Sequence, residues 1–280
     1  MTQNVALITG ATSGIGRITA LELLRLGWHV VVAVRNSSVR DALFLQMKQE
    51  SRNPSNLTFI ELDLSNLSSV QQCAKAFLAT CLPLKTLILN AGVAGQRGAT
   101  AQGFELAFGV NHLGHFLLTE LLIDHLCKTE DARVVTVASR AHKYASSGID
   151  WGNVQRPTKS ILGVQEYAVS KLANIWFSNH LSRRLTGTGV STYALHPGVV
   201  RTNIWRYAPG WTKPILALCP MLDEREGAQT TLHCLLNAPQ SETGLYYSDS
   251  SVAKAASIAY SLDDAAMLWS KSQYFCRAFL

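Results

Sequence analysis

Seven short apolar runs, rich in β-branched residues, recur along the chain and are separated by segments of helix length. They are VALIT at residues 5–9, HVVVAV at 29–34, and the runs at 57–62, 86–89, 133–138, 190–195 and 244–248. Continuously apolar strands are typical of a parallel sheet that is covered by helices on both faces. The sequence therefore predicts a doubly wound α/β fold with a parallel sheet of about seven strands.

The segments between the strands carry helical periodicity. Helices are predicted at residues 14–26, 39–50, 67–80, 104–127, 167–186, 225–236 and 262–276. No repeat, low-complexity tract or Pro/Gly/Ser linker divides the chain, so residues 1–280 are predicted to form a single domain. With 48% hydrophobic and 16% charged residues, 280 residues suffice to bury one large core.

Charge and composition exclude several classes of function. The formal charge is +6, but the basic residues are dispersed, which argues against nucleic-acid binding and leaves a mild attraction for anionic small molecules. Six scattered cysteines without a C-x-x-C pair fit reduced thiols in the core. His112 and His115 lack a completing carboxylate or cysteine pattern, so they are predicted to pack a helix and no metal is expected.

The chain carries no pattern that would place it in a membrane or direct it to secretion. Its N-terminus enters the first strand without a signal-peptide pattern, and no uninterrupted apolar run reaches the length of a membrane span. A cytoplasmic location is expected on this basis.

A glycine-rich loop, TGATSGIG at residues 9–16, connects the first strand to the first helix. Gly10, Gly14 and Gly16 let the backbone turn tightly and approach a pyrophosphate at the helix N-terminus. The spacing G-x-x-x-G-x-G differs from the usual G-x-G-x-x-G fingerprint. The second strand ends at Arg35, where an NAD site would carry an acid, so the sequence predicts a preference for the 2′-phosphate of NADP(H).

Tyr167 stands four positions before Lys171, near the start of a predicted helix. Residues at this spacing share one helix face, so a phenol and an ammonium point into the same space. The same pair is also common on ordinary amphipathic helices, and the pattern alone does not decide between the two interpretations.

Six motifs that occur in one order along the chain favour the catalytic interpretation of Tyr167 and Lys171, because together they resemble a known family. They are TGATSGIG, LDL (62–64), NAG (90–92), VNHLGHFLLT (110–119), YAVSK (167–171) and HPGVVRT (196–202). Together they resemble the short-chain dehydrogenase/reductase superfamily of Rossmann folds over nearly the whole chain. VNHLGHFLLT, HPGVVRT and REGAQT (225–230) look most like the retinol dehydrogenase branch, whose relatives include the WW-domain oxidoreductase and protochlorophyllide reductase.

The resemblance implies a set of site residues. The catalytic residues are expected to be Asn111, Ser139, Tyr167 and Lys171. NADP(H) is expected to contact Gly10, Thr12, Ser13, Gly14, Ile15, Gly16, Arg35, Asn36, Asp63, Leu64, Asn90, Ala91, Gly92, Tyr167, Lys171, Pro197, Gly198, Val200 and Thr202. Two positions depart from the family pattern, Leu89 before NAG and Ala138 before Ser139, and neither removes a reacting group.

The implied chemistry is reversible hydride transfer between a carbonyl compound and its alcohol. A free phenol has a pKa of about 10, and Lys171 is expected to lower that pKa so that Tyr167 serves as general acid and base. Ser139 is expected to donate to the substrate oxygen, and Asn111 to support a water chain that returns the proton.

An apolar, aromatic segment at residues 203–224 follows HPGVVRT and is predicted to form a substrate lid. Trp205 and Trp211 in it, together with Ser139 and Tyr167, are the expected substrate contacts. A lipophilic aldehyde or ketone, retinal first, is the expected substrate. The segment could instead meet a membrane or a second subunit, or complete the core.

Several alternatives stay open. A light-dependent reductase of the protochlorophyllide type and a non-catalytic NADP(H)-sensing protein would both carry much of this pattern. Relatives in the retinol dehydrogenase branch often have an N-terminal membrane anchor, and the sequence begins directly at its first strand. A soluble protein, removal of an anchor and peripheral membrane contact are all left open. The helices at 104–127 and 167–186 often form dimer interfaces in the superfamily, which leaves a homodimer open.

Overall fold

One eight-stranded sheet organises the computed structural model, which describes residues 3–35, 45–50, 54–200 and 222–280. The strand order is β3-β2-β1-β4-β5-β6-β7-β8, and all neighbours are parallel except β7 and β8. The strands are β1 Val5–Thr9, β2 His29–Val34, β3 Leu57–Glu61, β4 Thr86–Leu89, β5 Arg133–Val137, β6 Ser191–His196, β7 Tyr246–Ser248 and β8 Ser251–Val252. The predicted doubly wound fold is confirmed, with one strand more than expected.

In the described part of the chain, six long helices cover the two faces of the sheet. They are α1 Gly14–Arg25, α2 Leu67–Ala79, α3 Leu106–Leu126, α4 Val164–Arg184, α5 Glu224–Leu236 and α6 Leu262–Cys276. Residues 45–50 are also helical, and the rest of the helix predicted at 39–50 lies outside the described residues. Helix α4 begins three residues before its predicted start, because Gly163 caps it with a positive φ of 62°.

The core has two layers, one on each face. One layer gathers apolar side chains of α2, α3, α4 and α6, with Phe116, Trp176 and Trp269 among the largest. The other layer is formed with α1 and α5 and includes Leu21 and Leu235. Because both faces are covered, β1 and β4 are buried at every position, which explains their continuously apolar sequences.

The site lies where the strand order reverses. Strand β1 pairs with β2 on one side and with β4 on the other, so the crossovers leave β1 in opposite directions and open a crevice at the carboxyl ends. The loops after β1, β4, β5 and β6 converge on this edge.

Helix α3 differs from a regular helix in one respect. Its residues Gly109–Leu113 form a π-helical turn, in which the amide of Gly114 donates to the carbonyl of Gly109 five residues back. By length and composition the whole helix could cross a membrane, although polar residues such as Asn111, Glu120 and Asp124 interrupt its apolar sequence. However, 78% of its most apolar window is buried inside the protein, as in a core helix.

The cysteines follow the prediction only in part. Cys73, Cys234 and Cys276 are buried free thiols, and burial raises the pKa of each to about 12. Cys81 and Cys127 are exposed instead, because each lies at the end of a helix where the chain turns at the surface. Cys219 lies outside the described residues.

Candidate active site

The glycine loop after β1 is held against the loop after β4. Gly10 has a φ of 69°, and a Cβ built on it would lie 2.7 Å from the Cα of Ala91. A Cβ on Gly16 would collide with the side-chain amide of Asn90 and would lie 2.6 Å from the carbonyl oxygen of Gly10. Only glycine therefore allows this approach, while Thr12 and Ser13 face solvent at the mouth of the crevice.

The loop after β4 is fixed by Thr9, the last residue of β1. Its buried hydroxyl oxygen accepts hydrogen bonds from the amides of Asn90 and Ala91, each at 3.0 Å. The Asn90 side-chain amide donates back to the carbonyls of Thr9 and Gly10, at 2.9 and 3.1 Å. The two loops thus form one rigid wall, with Gly92 at its end.

Asn111 lies inside the π turn of α3 and is completely buried. Its side-chain oxygen accepts from the amide of Val93 at 2.8 Å, and its side-chain nitrogen donates to the carbonyl of Val93 at 3.0 Å and to Ser170 Oγ at 2.9 Å. A Cβ on Gly92 would lie 3.2 Å from Asn111 Oδ1 and 3.6 Å from Lys171 Nζ. The π turn therefore brings Asn111 beside the loop after β4 and beside α4.

Tyr167 and Lys171 share one buried face of α4, as their spacing predicts. The Tyr167 side chain is hydrogen-bonded to Ser139, which follows β5. Lys171 Nζ lies 5.7 Å from the centroid of the Tyr167 ring and donates to the carbonyl of Val137 at 2.8 Å. Asn174, one turn further along α4, donates to the same carbonyl at 3.2 Å.

The electrostatics of this group differ from the sequence expectation. Burial raises the pKa of Tyr167, and the hydrogen bond to Ser139 lowers it in part. Burial also lowers the pKa of Lys171 to about 7. An ammonium that gives up its proton this readily stabilises a phenolate poorly, so the predicted lowering of the tyrosine pKa by Lys171 is not found in the protein without cofactor.

Arg35 and Asp63 lie at the ends of neighbouring strands. Arg35 directly follows β2, is exposed, and forms no ion pair within the described part of the chain. Arg17, the other cation near the glycine loop, pairs with Glu50 at 2.6 Å. Asp63 Oδ1 accepts from the amide and hydroxyl of Ser65 at 2.9 and 2.7 Å, which fixes the loop after β3.

Leu64 is buried against helix α3 at Gly114, the residue that follows the π turn. A Cβ on Gly114 would lie 2.8 Å from its carbonyl oxygen.

The loop after β6 closes the other side of the crevice. Gly198 has a φ of 89°, and Val200 forms a parallel bridge with Leu222. A Cβ on Gly227 of α5 would collide with Val200 and would lie 3.2 Å from Cγ1 of Ile15, so this loop packs near the glycine loop. Pro197 and Gly198 are half-buried.

Part of the predicted site lies outside the described residues. The structure does not describe Asn36, Thr202 or residues 203–221 of the predicted lid, which include Trp205 and Trp211. The last two residues of that predicted segment lie at the start of helix α5. Asp223 caps the helix with its side chain and Glu224 is its first residue, because the sequence DERE forms a capping box with Glu226.

The crevice fits a nicotinamide dinucleotide. The glycine loop presents a helix N-terminus for the pyrophosphate. Lys171 is 2% exposed, and among the described residues its hydrogen-bond acceptor is the Val137 carbonyl alone, so two of its three N–H groups stay available. A buried ammonium with unfilled donors beside Gly92 suits the hydroxyl groups of a ribose.

Sequence reasoning missed two buried polar residues that hold the site together. Thr9 is predicted only as the junction of the first strand and the glycine-rich loop, and His115 only as a helix-packing residue, yet Thr9 Oγ1 and His115 Nε2 are 2.9 Å apart. The signal available in the sequence was a polar residue at the end of an otherwise apolar strand. Ser170 and Asn174, on the same helix as Tyr167, complete the polar group.

Comparison with known proteins places this arrangement in a family. The family model described as short chain dehydrogenase matches residues 4–150. Dehydrogenase/reductase SDR family member 13 of Bos taurus is 40% identical over 277 residues, which covers 96% of this chain and 72% of the relative. Retinol dehydrogenase 12 of Homo sapiens is 42% identical over 248 residues, covering 88% of this chain and 77% of the relative.

Solved structures show the same fold. A crystal structure of an uncharacterized protein from Mycobacterium paratuberculosis superposes with a TM-score of 0.77 at 31% identity, covering 99% of this chain and 94% of the other. The NADPH-bound carbonyl reductase from chicken fatty liver superposes with a TM-score of 0.69 at 21% identity, covering 91% and 100%. The chain therefore belongs to the short-chain dehydrogenase/reductase family, in its retinol dehydrogenase-like branch, and is an oxidoreductase that uses a nicotinamide cofactor.

Proposed function

We propose that this protein interconverts a lipophilic carbonyl compound and its alcohol with NADP(H), and that Tyr167 is the general acid and base. The observation that carries the proposal is the buried group on α4. Tyr167 is hydrogen-bonded to Ser139, and Lys171 lies one turn along the same face. A phenol, a hydroxyl and an ammonium at the carboxyl edge of the sheet are the groups that reversible carbonyl reduction requires.

Each residue of the group has its own role in the proposed reaction. When bound, the cofactor supplies or accepts the hydride. Ser139 and Tyr167 would both donate to the substrate oxygen, Ser139 stabilising its developing charge and Tyr167 delivering the proton. Lys171 has donors free to orient the ribose, and Asn111, locked to Val93 and Ser170, would hold the water that returns the proton.

The preference for the phosphorylated cofactor rests on Arg35. It follows the last residue of β2 and its guanidinium is exposed. A guanidinium gains a charge-assisted bond from a 2′-phosphate and nothing comparable from a ribose hydroxyl. Asn36 and Thr202, predicted to contact the same cofactor, stay proposals.

The substrate class rests on the family branch and the sequence after β6. Relatives at about 40% identity are named retinol dehydrogenases, and the segment after HPGVVRT is apolar and aromatic. We propose that residues 203–224 form the lid, that Trp205 and Trp211 contact the substrate, and that retinal leads the candidates. A cytoplasmic location, a single domain over 1–280 and peripheral membrane contact stay predictions.

The proposal is tested by following NADPH consumption in the dark with retinal, aliphatic and aromatic aldehydes, steroid ketones and quinones. Replacement of Tyr167 by Phe removes the proton donor but keeps the ring, so turnover is expected to fall by about 100-fold or more while NADPH still binds. Tyr144→Phe is the matched control, because Tyr144 is 71% exposed. Substantial turnover by Tyr167→Phe, or activity on polar sugars alone, would contradict the proposal.

A further inference from the structure

His115 is a buried histidine one helical turn after Asn111, and both of its ring nitrogens have protein partners. Nδ1 lies 3.0 Å from the main-chain carbonyl oxygen of Asn111. Nε2 lies 2.9 Å from Oγ1 of Thr9, on a strand 106 positions earlier in the sequence. The residue is 1% exposed, so water does not compete for these two hydrogen bonds.

The partners determine where the protons lie. A carbonyl oxygen only accepts, so the Nδ1 of His115 carries the proton and donates to Asn111. Thr9 Oγ1 already accepts from the amides of Asn90 and Ala91, and its own proton is free to go to Nε2. The competing acceptor of that proton, the carbonyl of Ile88, lies further away at 3.4 Å. Every donor in this series of hydrogen bonds then has an acceptor.

A neutral imidazole is the form that fits this place. The pKa of His115 is lowered to about 4, mainly because the ring is buried; the bond to Asn111 opposes this shift, and the charge of Lys171 adds to it. A second permanent cation at this position would be repelled by Lys171. An imidazole supplies one donor and one acceptor, on opposite sides of a flat ring, without adding charge.

We propose that His115 is a positioning residue that couples the Asn111 carbonyl to the loop after β4, residues Asn90–Gly92. The hydrogen-bonded chain runs from the π turn of α3 through His115 and Thr9 to Asn90 and Ala91. It therefore joins the two parts of the site that bind the cofactor and return the proton. This role rests on the proposed function, in which the loop at Asn90–Gly92 faces the bound cofactor and Asn111 holds the water that returns the proton.

The π turn explains why such a connection is needed. Its five-residue hydrogen bonds replace the regular ladder over Gly109–Leu113, so the direction of the Asn111 carbonyl is set less firmly by the helix itself. The ring of His115 reaches back four residues and fixes that direction. Without the ring bond, Asn111 would keep its side-chain bonds to Val93 and Ser170 but its carbonyl would lose one partner.

The test compares three variants of buried histidines on α3. His115→Phe keeps an aromatic ring and removes both hydrogen bonds, and we expect kcat to fall and the Kd for NADPH to rise, each by about tenfold. His115→Asn keeps an amide donor at the position of Nδ1, and kcat is expected to recover most of the loss. His112→Phe is the matched control, because His112 is equally buried but its ring is hydrogen-bonded to Ser272 on α6 and, among the described residues, to no part of the site.

The outcomes separate positioning from stability. Equal losses of kcat in His112→Phe and His115→Phe, or wild-type kcat and NADPH affinity in His115→Phe, would overturn the proposal. The ¹⁵N NMR signals of His115 in the wild-type protein supply a second readout. Between about pH 6 and 8, where an exposed histidine titrates, the ring is expected to stay neutral and to carry its proton on Nδ1. A ring protonated at Nε2 would overturn the proposal.

Failure of the proposed function would look different. In that case the wild-type protein would reduce none of the carbonyl compounds, while the NADPH affinities of the variants and the NMR signals would still report on His115. Loss of NADPH binding in His115→Phe with retention in His115→Asn and His112→Phe would support the coupling even then. Unchanged NADPH binding in all three, with the Nε2 tautomer, would reject it.

Discussion

Lys171 is a buried base whose pKa is lowered to about 7 from its ordinary value of 10.5. Between these two pH values the unfolded chain binds a proton that the native protein does not. The free energy of unfolding therefore rises with pH across this window, and the full destabilisation is present below pH 7. The site accordingly holds its ammonium at a cost to the fold.

Replacement of Lys171 by Met is expected to stabilise the cofactor-free protein at pH 7 by a few kcal/mol, because it removes the buried charge. The Val137 carbonyl keeps its bond from Asn174, so no acceptor is orphaned. The gain should shrink toward pH 10, and thermal unfolding at the two pH values measures it. Lys75→Met, on the exposed side of α2, is the control, and an equal Tm change at both pH values for Lys171→Met would contradict the argument.

Replacement of Arg35 by Ala is expected to weaken NADPH binding by roughly 10- to 100-fold, since a charge-assisted bond to the 2′-phosphate is lost. Binding of NADH should change little. Fluorescence titration with both cofactors measures the two affinities. Arg25→Ala, at the end of α1 away from the strand ends, is the control. Equal losses for both cofactors would show that Arg35 does not recognise the phosphate.

Which site residues could be predicted depends on how local their role is. The glycines and the pair Tyr167 and Lys171 act through neighbours in sequence, so their spacing is informative. Thr9 and His115 act through each other across two elements, and no local pattern indicates that contact. The raised pKa of Tyr167 likewise depends on burial by other segments.

At the scale of elements, the turn between β7 and β8 adopts an unfavourable backbone. Asp249 and Ser250 have φ values of 53° and 58°, and they join strands paired at Ser248 and Ser251. A two-residue hairpin of this kind is built for Asn-Gly or Asp-Gly. Ser250 therefore adopts a left-handed conformation that costs about 1 kcal/mol relative to glycine.

Ser250→Gly is expected to raise the free energy of unfolding by about 0.5–1 kcal/mol because it relieves this conformation. The main-chain amide at this position can keep its bond to Thr230 Oγ1, now at 3.1 Å. Urea unfolding measures the change. Ser251→Gly, in the adjoining strand, is the matched control and should destabilise, so a gain in the control or a loss at Ser250 would contradict the turn assignment.

The same region shows why elements differ in how well sequence predicts them. The inner strands β1, β2 and β4 are apolar except at one end residue each, and the predicted runs match them within a residue or two. Strand β8 consists of two residues, Ser251 and Val252, and both are exposed. It forms because the turn folds the chain back onto β7. The π turn in α3 likewise arises from packing, since its apolar residues continue the helical pattern on either side.

On the scale of the whole molecule, helix α6 covers the seam between α3 and α4. Trp269 of α6 stacks on Phe177 with ring centroids 5.9 Å apart and meets Phe116 at 4.9 Å. Arg184 lies over the outer side of the indole at 4.4 Å and pairs with Glu120 at 3.2 Å. A homodimer through this face of α3 and α4 would have to displace α6.

Trp269→Ala is expected to lower the free energy of unfolding by about 3–5 kcal/mol, as for other large aromatic side chains removed from a core. Tyr274→Ala on the same helix is the control, because Tyr274 is 58% exposed. Denaturant unfolding measures both, and sedimentation shows whether uncovering the seam makes the chain associate. Equal stability of the two variants would mean that α6 is dispensable for the fold.

The place of α6 in the chain has a consequence for biosynthesis. Helices α3 and α4 leave the ribosome well before the segment that covers them, so Phe116 and Phe177 stay uncovered while β6, α5 and β7 are still being made. An aromatic surface exposed in this interval is a binding site for chaperones and a nucleus for aggregation. The last helix thus sets the time at which the nascent protein ceases to need protection.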